Sequence, residues 1–145
     1  MAVRLPDCET RPFGSPVSGA TPIAPRGQEW IIDARGCSPD ALRDERRLRG
    51  VFDRLIAELH LTPVAPPVWH TFPEPGGLTG VVVLAESHLA CHTFPEHGSI
   101  CLNVFCCRPR PDFDAGGLLA EMLGATDTDV RRLERAYGPP DGAQR

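Results

Sequence analysis

The sequence predicts an α+β two-layer sandwich, with an antiparallel sheet covered by helices on one face. Two observations predict it. The segments follow one another as β-α-β-β-β-β-α-β, with most strand-like segments joined by short turns. The longer helical segment carries a single apolar stripe, so it lies on a sheet rather than standing free.

Trp30, Ile31 and Ile32 mark a first strand that ends near Gly36. Ser38-Pro39-Asp40 then opens a helix, with Ser38 as N-cap, Pro39 at the first helical position and an acid in the first turn. Leu42, Leu48, Val51, Phe52, Leu55, Ile56 and Leu59 continue it at helical spacing. Val64 to Trp69 reads as a short, proline-bearing edge strand, and Phe72 to Gly80 as a Gly/Pro loop. Gly80 to Glu86 is a continuous β-branched run, the pattern of a strand buried on both faces. Residues 88–94 and 99–107 form two more strands, turning through Pro95-Glu96-His97-Gly98. Ala115 to Leu123 is helical, and 127–135 fits a last strand or a helix. Residues 1–28 are rich in Pro, Gly and Ser without a period and read as a disordered arm. Residues 137–145 read as a flexible tail, leaving one domain over 29–136.

Composition excludes several classes of function. Net charge is -4 with no basic run, which argues against a nucleic-acid partner. No apolar stretch is long enough to span a bilayer, and no secretory signal is read, so the expected location is the cytoplasm. All 15 basic residues are arginine. Without lysine the chain cannot hold pyridoxal phosphate or a substrate as a lysine Schiff base. The six cysteines (Cys8, Cys37, Cys91, Cys101, Cys106 and Cys107) read as free thiols rather than a secreted disulfide scaffold.

The chemistry-bearing residues concentrate in Glu86 to Cys107, ESHLACHTFPEHGSICLNVFCC. If the turn is centred near His97, Ser87 faces Cys107 across the hairpin, where Cβ atoms lie about 4.5–5.5 Å apart. Cys91, Cys101 and Cys106 read as core fillers. Arg108 and Arg110 read as solvated, and His97 as exposed at the turn. The His and Cys donors of this segment also permit a zinc site. No C-x-x-C pair supports it, however, and strand alternation sends Cys91 and His92 to opposite faces, so no metal is expected.

ESHLACHTFPE resembles the processing segment of the bacterial and archaeal S-adenosylmethionine decarboxylases, whose usual form is E-S-H, three residues, then H-T-W-P-E. GQEWIIDARGC resembles the opening strand of that family, GLTGVVV its pre-cleavage strand, and NVFCC its D-V-F-T-C strand. The resemblance implies that family's fold and self-cleavage between Glu86 and Ser87. Ser87 would become a pyruvoyl group that takes the substrate amine as a Schiff base, with no pyridoxal phosphate. It also implies His92 as the processing base, Thr79 in place of an assisting serine, and Cys107 as proton donor to the substrate carbon. Glu96 would hold a ribose, and Phe72 and Phe94 would sandwich an adenine. A homodimer of processed protomers is implied as well, in an enzyme feeding spermidine synthesis. The chain departs from the family pattern at Phe94 (Trp), Asn103 (Asp) and Cys106 (Thr), and its turn lacks the usual aromatic after the glycine. A pocket with less aromatic surface admits an alternative substrate, a basic amino acid such as ornithine or arginine. A zinc-binding protein and a non-catalytic homologue are the remaining alternatives.

Overall fold

A computed structural model describes residues 26–138. Six strands form one sheet: β1 (Arg26–Arg35), β2 (Val68–Thr71), β3 (Leu78–Leu84), β4 (Ser87–Phe94), β5 (Ser99–Cys106) and β6 (Asp127–Ala136). Their order across the sheet is β2-β3-β4-β5-β1-β6, and every neighbouring pair is antiparallel. Three helices, α1 (Pro39–Arg43), α2 (Glu45–Glu58) and α3 (Ala115–Leu123), pack on one face, as the helical stripe predicts.

The single helix expected from Ser38 onward is two helices. Asp44 adopts an extended conformation (φ -88°, ψ 98°), which ends α1. The backbone N–H groups of Arg46 and Arg47 donate to Asp44 Oδ1 at 2.9 and 3.3 Å, so Asp44 also caps α2. Four side chains of α2, Leu48, Val51, Phe52 and Leu55, are buried against the sheet. Their strand partners alternate: Leu89, Cys91 and Thr93 of β4 and Ile100, Leu102, Val104 and Cys106 of β5 point into this core. Thr93 is the one buried polar residue of the described core. Its hydroxyl donates to the Leu42 carbonyl at 2.9 Å and accepts the Leu78 N–H at 2.8 Å, pinning α1 to the sheet.

The β-branched run of β3 is not buried on both faces. Leu78, Val82 and Leu84 are buried, but Val81 and Val83 are 37% and 55% exposed. Helices cover only one face of the sheet, so an apolar run long enough for two covered faces leaves one of them open. Cys101 corrects a second expectation: it lies exposed on that open face, whereas Cys91 and Cys106 are buried as read.

The edge strand falls at 68–71 rather than 64–69, and residues 127–136 pair with β1 over ten residues as a strand. β1 begins at Arg26 and so takes in the last three residues of the expected arm, whose residues 1–25 lie outside the described residues. At the other end Tyr137 is anchored, its hydroxyl donating to the Cys107 carbonyl at 2.9 Å. The rest of the expected tail, residues 139–145, lies outside the described residues.

Candidate active site

The site is organised by the β4–β5 hairpin. Pro95–His97 forms one 3-10 turn, closed by Gly98 in the left-handed conformation (φ 57°), whose N–H donates to the Pro95 carbonyl. Four residues therefore connect Phe94 to its partner Ser99. An even-numbered connection centres the hairpin between Glu96 and His97 rather than on His97. The register is shifted by one from the sequence expectation: Ser87 pairs with Cys106, not Cys107.

The shift gives Cys107 a different contact. Its backbone N–H donates to the Glu86 carbonyl oxygen at 3.1 Å. On the adjoining residue, Ser87 Oγ is buried and has no hydrogen-bond partner among the described residues. A buried hydroxyl without a partner is uncommon and calls for a reason. Here it adjoins a peptide carbonyl already held by a backbone donor, an arrangement suited to nucleophilic attack with a donor for the developing oxyanion.

Glu86 is also clamped through its side chain. Arg110 Nη2 donates to Glu86 Oε2 at 2.6 Å, and Arg108 Nε lies 3.1 Å from Glu86 Oε1. Arg110 Nη1 donates to the His60 carbonyl at 2.9 Å, and the Arg110 N–H donates to Gln28 Oε1 at 3.0 Å. The side chain of Arg108 is 73% exposed and that of Arg110 only 18%. Arg110 is therefore not the solvated residue the sequence implied. The signal for it was the spacing Arg-Pro-Arg just past a strand that pairs with the Glu86 end of β4. The clamp lines a cavity of about 130 Å³ with Leu61, Thr62 and Leu84.

Thr79 and His92 are cross-strand partners, with Thr79 Oγ1 2.9 Å from His92 Nδ1. Both lie on the open face of the sheet. A cleft of about 230 Å³ joins His92 to Phe72, Phe94 and Glu96, gathering the proposed nucleoside-binding residues at one end of β4. Ser87 stands at the other end of the strand, five residues from His92 and on the opposite face. At about 3.3 Å per residue the separation is roughly 16 Å, too far for His92 to serve Ser87 of its own chain.

His88 follows the Glu86–Ser87 bond on the open face, its Nε2 3.0 Å from Asn103 Oδ1. Asn103 Nδ2 in turn donates to Glu29 Oε1 at 2.8 Å. That bond, with Arg135 beside it, holds the Glu29 carboxyl below the usual range. Burial pushes the Cys91 thiol up to about 12, which makes it a poor nucleophile and a poor metal ligand. Among the described residues no group of three or more His, Cys, Asp and Glu side chains is placed to hold a metal ion, so the zinc reading has no geometry to rest on. Among the same residues no helix is long and apolar enough to cross a membrane.

An antiparallel sheet with helices on one face defines an α+β two-layer protein, and the buried Ser87 hydroxyl next to a carbonyl held by a backbone donor is its candidate nucleophile. The S-adenosylmethionine decarboxylase family model matches residues 28–136. The chain is 40% identical over 116 residues to the S-adenosylmethionine decarboxylase proenzyme 2 of Halalkalibacterium halodurans, covering 78% of this chain and 88% of that one. It is 34% identical over 119 residues to the S-adenosylmethionine decarboxylase proenzyme of Moorella thermoacetica, covering 81% and 94%. The crystal structure of the adenosylmethionine decarboxylase from Aquifex aeolicus superposes with a TM-score of 0.66 at 25% identity, covering 84% of this chain and all of that one. The chain belongs to the S-adenosylmethionine decarboxylase family.

Proposed function

We propose that this chain is a proenzyme that cleaves itself at Glu86–Ser87 and then decarboxylates S-adenosylmethionine, supplying the aminopropyl donor for spermidine synthesis. The observation that carries this reading is the partnerless, buried Ser87 Oγ next to a Glu86 carbonyl held by the Cys107 N–H. Ser87 Oγ attacks the Glu86 carbonyl carbon, the peptide C–N bond breaks and an ester forms. A base removes the Ser87 Cα proton, the Cβ–Oγ bond breaks, and residues 1–86 leave with a new carboxylate. The unsaturated residue 87 takes up water and releases ammonia, so no external oxidant is needed. The resulting pyruvoyl group supplies a ketone that binds an amine and accepts the electrons left when carbon dioxide departs. Cys107, whose backbone is anchored opposite residue 86, returns a proton to the substrate carbon.

His92, with Thr79 bonded to its Nδ1, acts as the processing base, and its distance from Ser87 along β4 supports its acting on a second copy. The uncovered sheet face, with Val81, Val83 and Phe94 exposed, is the surface where that copy docks as a homodimer. The second copy then brings its own Phe72, Phe94 and Glu96 to the end of β4 where the Glu86–Ser87 bond lies, with the aromatics against adenine and the carboxylate on the ribose. This cleft favours a nucleoside over the smaller ornithine or arginine. Five described cysteines, all free, fit a cytoplasmic setting. The test is to supply the processed enzyme with S-adenosylmethionine, ornithine and arginine separately and measure released carbon dioxide. Release from S-adenosylmethionine alone is expected. Release from an amino acid alone overturns the substrate assignment.

A further inference from the structure

We propose that Arg110, with Arg108 beside it, forms an anion site for the α-carboxylate that self-cleavage creates on residue 86. The proposal rests on the cleavage reading above. Its first support is charge. In the uncleaved chain two guanidinium groups face a single carboxylate, that of the Glu86 side chain. The cavity's remaining lining residues, Leu61, Thr62, Leu84, Ala85 and Ser87, are uncharged. Cleavage adds one negative charge to the same residue, so the cluster is balanced only in the product.

The second support is an unused donor. Arg110 Nε is buried and has no partner among the described residues, although both of its Nη groups are bonded. A buried guanidinium N–H without an acceptor is costly, and a carboxylate is its best-matched acceptor. The third is position. Glu86 O, one of the two oxygens of the future carboxylate, is held by the Cys107 N–H, and Arg108 and Arg110 follow directly in sequence. The other oxygen is the former Ser87 Oγ. The site would thus keep the new C-terminus docked after cleavage and hold residues 1–86 to residues 87–145.

The test compares urea unfolding of the cleaved wild type and of the uncleaved Ser87→Ala protein, each with and without Arg110→Gln. Contacts to the Glu86 side chain and the His60 carbonyl are lost in both pairs. The proposal predicts that the substitution lowers the folded-to-unfolded ratio by about tenfold more in the cleaved protein, the scale of one lost charged hydrogen bond. An equal loss in both pairs overturns it. If Arg110→Gln does not fold or cleave, carbon-13 NMR of cleaved wild type labelled at glutamate decides. The α-carboxyl of residue 86 should titrate below the ordinary C-terminal range of about 3.3–3.7, and a value within that range overturns the site. A wild-type chain that stays whole overturns the cleavage reading itself and this proposal with it.

Discussion

The Cys107 amide and the Glu86 carbonyl are hydrogen-bonded at 3.1 Å, on the carbonyl side of the bond that processing would break. The contact is made by backbone, so it survives any side-chain truncation. Cys107→Ala should therefore still cleave, while Cys107→Pro, which has no N–H, should cleave at least about 10²-fold more slowly, the usual cost of a lost oxyanion donor. Cleavage half-times on denaturing gels give the comparison, and equal rates for the two variants would remove the proposed donor.

Turnover should separate the two adjacent cysteines. Cys107→Ala is expected to lose about 10²–10⁴ in decarboxylation rate, as when a positioned general acid is removed. Cys106, buried opposite Ser87, belongs to the core, and Cys106→Ala should cost mainly stability. Carbon dioxide release by both purified, cleaved variants checks this. An inactive Cys106→Ala beside a fully active Cys107→Ala would reverse the assignment.

The separation of His92 from Ser87 along β4 predicts complementation. Ser87→Ala and His92→Ala chains should each remain whole when produced alone. Produced together, about half of the mixed dimers' chains should cleave, because the His92→Ala chain keeps its serine and meets an intact histidine on its neighbour. Mass spectrometry identifies which chain is cut. No cleavage in the mixture, with both chains shown to associate, would place the base within one chain.

Much of this arrangement was legible in the sequence. The amphipathic stripe and the Ser38 cap placed a helix on one face of a sheet, and the E-S-H and H-T-x-P-E spacing singled out Ser87, His92 and Glu96 as candidates. What was not legible depended on backbone geometry. The number of residues in the 95–98 turn decides whether Cys106 or Cys107 faces Ser87, and a periodicity of two cannot fix it. Asp44 looked like one more helical residue because its capping bonds to Arg46 and Arg47 have no signature in the apolar stripe. Arg110 looked solvated because its partners, Glu86 and His60, come from distant segments.

Thr93, by contrast, reads as part of the processing motif yet has a structural task. Thr93→Val keeps the shape but leaves the Leu42 carbonyl and the Leu78 N–H without their partner. A loss of about 1–3 kcal/mol is expected, measured by urea unfolding. Cleavage and turnover per folded molecule should persist. An unchanged midpoint would contradict the assigned role.

Cys91 predicts a feature of the alkaline limb. Its thiol is neutral when protonated and is raised from 9.0 to about 12 by burial. Between those values the unfolded chain gives up the proton while the folded chain keeps it, so stability falls as pH rises. Cys91→Ala should flatten that slope between pH 9 and 12, whatever it does to stability at pH 7. An unchanged slope would show that Cys91 does not titrate in this way.

The central claim is that Ser87 attacks the Glu86 carbonyl. Intact-mass spectrometry of the denatured wild-type protein tests it most directly. The expected result is two chains, 1–86 and 87–145, the second lacking a free amino terminus and reactive toward carbonyl reagents, with Ser87→Ala giving one whole chain. A wild-type protein that remains a single chain of 145 residues after prolonged incubation would contradict it.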